Sequence, residues 1–115
     1  MTPEEERDYQ EALRRIKEAE ENKSAELDLS NLESLTRLPL ELARLTSLQS
    51  LKLAGCEQLS DLSPLAVLKS LRELDLSRCT GIQHFASLEP LPAGLRKLCL
   101  CGCRFDDLPI RDLRT

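Results

Sequence analysis

Aromatic residues are scarce in this sequence: Tyr9, Phe85 and Phe105 are the complete set, and tryptophan is absent. Most globular cores combine large aromatic side chains with aliphatic ones. Here leucine fills that role, with 26 of the 115 residues, and only Leu13 precedes residue 27. A core made from one repeated aliphatic residue favours a stack of similar units over a conventional globule.

Two other absences exclude classes of partner. No apolar run approaches the ~20 residues that cross a bilayer, and the acidic N-terminus is unlike a signal peptide. These features predict no membrane partner. The cytoplasmic location is predicted from the five cysteines, three of them at interior repeat positions, which is the usage of a reducing compartment. The net charge is −4, and there is no basic stripe of the kind that phosphate backbones require. Nucleic acid is therefore not a predicted partner.

A nine-residue phrase recurs three times, and each copy ends in cysteine. The copies occupy residues 48–56, 71–79 and 95–103, share the pattern LxxLxLxxC, and place their cysteines 23 and 24 residues apart. This pattern and period are typical of a leucine-rich repeat. The predicted fold is an α/β solenoid with a short parallel sheet on its concave face. Its convex side is predicted to mix short helices with extended chain.

The repeats divide the chain into three predicted segments: a helical cap at 1–24, about four repeats at 25–110, and a tail at 111–115. In the cap, Thr2, Pro3 and Glu5 form the signature of a helix start with a capping box. One apolar stripe follows at helical spacing, made of Tyr9, Ala12, Leu13, Ile16 and Ala19. The stripe either covers the hydrophobic end of the first repeat or packs on another protein.

The strand triplets are predicted at 27–29, 51–53, 74–76 and 98–100, with both leucines of each triplet pointing inward. Residues beside the leucines then face outward and form the candidate protein-binding surface. Its members are Glu26, Asp28, Ser50, Lys52, Arg72, Glu73, Asp75, Arg96, Lys97, Cys99 and Cys101. The alternative is a solvated face without a partner. Lys52, between Asp28 and Asp75 in neighbouring repeats, predicts a cross-strand ion ladder.

The convex side carries less regular signals. Ser63 and Pro64 predict the N-cap and first residue of a short helix that ends at Leu68. Two prolines within residues 89–94 predict extended chain. No amphipathic helix follows residue 110, so the last repeat is predicted to expose a strand edge. Further repeats would cover that edge in a longer parent chain, and a homodimer contact through residues 98–110 would cover it in this one.

The five cysteines are predicted to be free thiols of a reducing compartment. Cys56, Cys79 and Cys103 should point inward and donate weak S–H hydrogen bonds to backbone carbonyls. Three thiols in a row do not converge as zinc ligands must, and neighbours two apart on a strand are too distant for a disulfide. His84 is the sole histidine and has no paired nucleophile. No catalytic residue, metal or cofactor is predicted.

The chain thus resembles the leucine-rich repeat superfamily over residues 25–110. The segments 12–16, 27–30, 35–39 and 45–48 are more narrowly similar to the start of bacterial leucine-rich repeat proteins, including Roco proteins, where the repeats precede a GTPase module. The cysteine-ended phrases are also similar to repeats of plant immune receptors, and residues 91–98 to those of secreted bacterial effectors. The resemblance implies a non-catalytic module that binds a protein through its concave face. The alternative is the recognition part of a multidomain signalling protein.

Overall fold

The computed structural model describes residues 2–82, 92 and 94–103 of the chain. Its elements are helix α1 (Pro3–Glu21), strand β1 (Glu26–Asp28), a first 3₁₀ helix (Leu40–Arg44), strand β2 (Ser50–Lys52), a second 3₁₀ helix (Ser63–Val67), strand β3 (Glu73–Asp75) and strand β4 (Lys97–Cys99). None of the helices in these residues is long and apolar enough to cross a membrane.

The four strands form one parallel sheet in the order β1-β2-β3-β4. The first leucines of the predicted triplets are direct neighbours in register: Leu27, Leu51, Leu74 and Leu98. Each strand begins one residue before the predicted triplet. The second leucine of each triplet therefore lies one residue after the end of the strand. These second leucines still belong to the ladder, since the Leu29 N–H donates to the Lys52 carbonyl at 2.8 Å. The predicted α/β leucine-rich repeat solenoid is confirmed.

Leucine suits this core because each repeat presents the same inward positions to the next. Both inward leucines are buried in the first three repeats, whereas Leu98 and Leu100 of the fourth are half-buried. Side chains of one size stack without gaps when the units repeat with little change. Leu32 is also buried, at the position that cysteine occupies in the three later repeats.

Helix α1 covers the end of the first repeat. The Thr2 hydroxyl accepts a hydrogen bond from the Glu5 N–H at 3.1 Å, as the capping signature predicted. Ala12, Ile16 and Ala19 are buried in the same core as the leucines, and Tyr9 packs against it. The predicted capping helix is confirmed, because these four residues of its apolar stripe face the repeat; the fifth, Leu13, is half-buried and lies outside that core.

The predicted short helix after Asp61 is a 3₁₀ helix, and its N-cap differs from the prediction. Residues 63–67 form a 3₁₀ helix whose N-cap is Leu62 and not Ser63. Buried Leu62, Leu65 and Leu68 recur every third residue, and the N–H of each of the last two donates to the carbonyl three positions earlier. That spacing matches a 3₁₀ helix rather than an α-helix. The carboxylate of Asp61 accepts hydrogen bonds from Ser63 at 2.9 and 2.5 Å.

Several sequence predictions lie outside the described residues. They are the position of His84, most of the extended proline segment at 89–94, and the tail at 111–115. Most of the predicted homodimer contact at 98–110 also lies there. These remain predictions.

Candidate functional site

The predicted surface residues form columns that run across the sheet. Glu26, Ser50, Glu73 and Lys97 are register partners in the first column, and Asp28, Lys52, Asp75 and Cys99 in the second. Side chains alternate along a strand, so both columns lie on the face opposite the buried leucines. Among these residues Ser50, Asp75 and Cys99 are half-buried and the others are exposed.

Backbone hydrogen bonds extend the columns beyond the strand ends. At the start of the strands, the Arg96 N–H donates to the Arg72 carbonyl at 2.8 Å, which places both arginines at one edge of the face. At the other end, the Arg78 N–H donates to the carbonyl of exposed Cys101 at 2.7 Å. The structure therefore brings all eleven predicted residues to one sheet and its two edges. Their role in binding stays a prediction.

The predicted ion ladder is wrong. Among the ion pairs of the described residues, none within 4 Å joins Lys52 to Asp28 or Asp75. The aspartates instead close turns, since Oδ1 of Asp28 accepts from the Ser30 N–H and Oδ1 of Asp75 from the Ser77 N–H, both at 2.9 Å. A carboxylate held by its own backbone does not reach across the sheet. Hydrogen bonds from Ser30 lower the pKa of Asp28, and the positive charges of Lys52 and Arg15 lower it further without an ion pair.

A cleft at this edge of the sheet includes two uncharged residues that were not among the eleven predicted ones. Ala25 and Gln49 line a cleft with predicted surface residues, namely Glu26, Ser50, Arg72, Glu73, Arg96 and Lys97. The Gln49 carbonyl accepts from the Arg72 N–H at 2.8 Å. Ala25, Gln49, Arg72 and Arg96 each precede the outward residue that starts a strand. The repeat alignment alone would have identified this column.

The three inward cysteines form another column across the repeats, in which Cys56 and Cys79 are buried and Cys103 is half-buried. Their Sγ atoms donate to the carbonyls of Leu29, Leu53 and Leu76 at 3.2, 3.0 and 2.9 Å for Cys56, Cys79 and Cys103 respectively. Each acceptor belongs to the preceding repeat, so the thiols link successive repeats as predicted. In the described part of the chain, no group of three or more His, Cys, Asp or Glu side chains is placed to hold a metal ion.

Burial raises the pKa of Cys56 to about 11 and that of Cys79 to about 12. The ordinary thiol value, 9.0, applies in the unfolded chain. Above pH 9, folded thiols therefore keep protons that unfolded thiols lose. The contribution of these thiols to the free energy of unfolding is fully present below pH 9 and falls as the pH rises towards 11–12. The loss approaches about 1.4 kcal/mol per pH unit for each thiol.

We expect urea midpoints to fall between pH 8.5 and 10.5, and to fall less in a Cys56→Ala, Cys79→Ala variant. The comparison is with Cys101→Ala, which removes an exposed thiol and leaves both buried thiols in place. Cys101→Ala should keep the parent's pH dependence. If the urea midpoints of the double variant and of Cys101→Ala fall equally with pH, the buried thiols are not the source of the pH dependence.

Comparison with known families agrees with this geometry. Residues 46–93 match the model of a family described as leucine rich repeats, in two copies. The match spans β2, the second 3₁₀ helix and β3. Comparison with curated proteins gave no match. Repeats of this family generally mediate protein–protein interaction and are typically non-catalytic. The two matched repeats and the four-stranded parallel sheet together support a leucine-rich repeat protein.

Proposed function

We propose that this chain is a non-catalytic protein-interaction module that binds a protein partner through the concave face of its sheet. The observation that carries the proposal is the pair of outward columns, which present polar and charged residues side by side over four strands. These side chains stand on strands fixed by a leucine core. Rigid elements position a binding surface more accurately than loops do.

The composition of the surface indicates how it would bind. Its charges are mixed, with Lys52 beside Asp28 and Asp75, and Glu73 beside Lys97. Complementary charges raise the rate and the specificity of association more than the affinity. Binding hot spots are enriched in Trp, Tyr and Arg; the eleven surface positions include Arg72 and Arg96 but no Trp or Tyr. The module is therefore suited to a moderate, charge-selected interaction.

The narrower resemblance to bacterial and Roco-type repeats, the alternative of a multidomain signalling protein, and the cytoplasmic location remain predictions. Homodimer formation through residues 98–110 also remains a prediction. The concave-face proposal depends on none of them, since it uses only residues 26–101 of the sheet and its edges.

Exchanging two neighbouring charges should abolish recognition without changing the net charge. We expect a Lys52→Glu, Glu73→Lys variant to lose most partners that the parent chain captures from a lysate of its source cells, because the charge order of the central strands is reversed. Capture is measured by quantitative mass spectrometry of proteins retained on the immobilised chain.

A matched control makes the same exchange on α1, where Lys17 and Glu20 are exposed. Lys17→Glu, Glu20→Lys should capture the parent's partners. If the concave variant also captures them equally well, binding does not involve this face and the proposal fails.

A further inference from the structure

We propose that the partner segment recognised by the concave face is acidic and binds Arg72, Arg96 and Lys97. This inference rests on the proposed function and adds the chemistry of the partner. Arg72 and Arg96 hold the same edge position in consecutive repeats and are joined by the 2.8 Å backbone hydrogen bond. Lys97 follows Arg96 and begins β4. Three cations therefore cluster where the edge meets the last two strands.

The arginines of α1 are paired with carboxylates of the same helix. On α1, Arg14 Nη2 and Arg15 Nε each lie 2.7 Å from Oε2 of Glu11. Within residues 2–82, 92 and 94–103, by contrast, no carboxylate lies within 4 Å of the charged nitrogens of Arg72, Arg96 or Lys97. The register partner of Lys97, Glu73, also stays outside this distance. The cleft at this edge thus holds three cations outside ion-pair distance of any described carboxylate, against two carboxylates, Glu26 and Glu73.

Arg72 is held in position before any partner binds. Its Nη1 donates to the carbonyls of Lys69 at 3.2 Å and Leu71 at 3.4 Å. The guanidinium lies against Gly94, just before the fourth repeat, where an added Cβ would be 2.9 Å from Nη1. Nε and Nη2 make no hydrogen bond to the described residues, and this side of a guanidinium binds a carboxylate through two parallel hydrogen bonds.

The charges along the sheet also predict how the partner segment is oriented, because the two ends of the sheet carry opposite charges. The cations lie at the third and fourth repeats, whereas exposed Glu26 and Asp28 lie on β1. Three strand spacings separate β1 from β4, or ~14 Å, which about four residues of extended chain span. A fitting segment therefore carries Asp or Glu at one end and, about four residues away, a neutral or basic residue that meets Glu26 and Asp28.

The test is a selection of random octapeptides, displayed on phage, against the full chain. We expect enriched peptides to share Asp or Glu. A selected peptide, made synthetically, should bind an Arg72→Gln, Arg96→Gln variant about tenfold more weakly or worse, a difference of about 1.4 kcal/mol. Gly94→Ala should also weaken binding, because it displaces the Arg72 guanidinium while keeping its charge. Arg7→Gln, Lys17→Gln removes the same charge from α1 and should leave the affinity within about twofold.

The outcomes separate this inference from the proposed function. Enriched peptides without acidic residues, or acidic peptides that bind the Arg72→Gln, Arg96→Gln variant equally well, overturn the inference. If such peptides still fail to bind the Lys52→Glu, Glu73→Lys variant, the concave-face function stands. Peptides that bind both variants as well as the parent contradict both proposals. An absence of any enriched peptide overturns the inference and leaves the function to the capture experiment.

Discussion

Leu51→Ala is expected to lower the free energy of unfolding by about 2–5 kcal/mol. Leu51 is 0% exposed and lies in the second strand, with Leu27 and Leu74 as its register neighbours. Removing its isobutyl group leaves a cavity between two repeats, and a parallel sheet fixed on both sides cannot close it. Since domains of this size have about 5–15 kcal/mol of stability in total, the loss should be visible as a large shift of the urea midpoint.

The same substitution at an exposed leucine provides the control. Leu40 begins the first 3₁₀ helix and is 76% exposed. Leu40→Ala should change the stability by no more than about 0.5 kcal/mol. If the two variants unfold at the same urea concentration, the assignment of the core to the inward leucine column is wrong.

Ile16→Asp is expected to detach helix α1 from the first repeat. Ile16 is 1% exposed and lies in the middle of the buried stripe, between Ala12 and Ala19. An aspartate there would bury a charge without a partner. The free energy is therefore lower when the helix leaves the repeat and the carboxylate is in water. We expect the free energy of unfolding to fall by about 3–5 kcal/mol. The helical signal in circular dichroism should weaken, and trypsin should cleave faster at Arg14 and Arg15.

Lys17→Asp introduces the same residue one position later, on the exposed side of α1. It carries a similar cost in helix propensity, about 0.5 kcal/mol, but no buried charge. Its circular dichroism and its cleavage at Arg14 and Arg15 should stay close to those of the parent. A variant at Ile16 that behaves like this control would show that α1 does not depend on the repeat for its stability.

Much of the fold was predictable because the signal repeats. Phrases 23 and 24 residues apart place equivalent residues on adjacent strands, so Leu27, Leu51, Leu74 and Leu98 could be aligned before the structure was seen. The same alignment predicted the outward columns. The thiol hydrogen bonds followed from it as well, since an inward cysteine in one repeat meets the backbone of the repeat before it.

The failed predictions share one cause, which is competition by nearby backbone for polar side chains. Asp28, Asp61 and Asp75 each accept a hydrogen bond from the N–H two residues later. In each case that residue is a serine, so a recurring D-x-S pattern marked these turns in the sequence. The ion ladder predicted from two of these aspartates is therefore wrong. The predicted cap Ser63 instead donates its N–H to Asp61, and the N-cap is Leu62.

The sequence by itself determined the solenoid, the register of its four strands and the inward position of the leucines and three cysteines. These features depend on periodicity, which is a property of the chain in one dimension. The tertiary structure decided which polar contacts the side chains make: the Arg72 guanidinium lies against Gly94, and the aspartates bind their own turns rather than Lys52. Such contacts depend on the path of each turn and on the rotamer of each side chain. Repeat spacing sets neither, because it fixes where a residue lies and not where its polar atoms point.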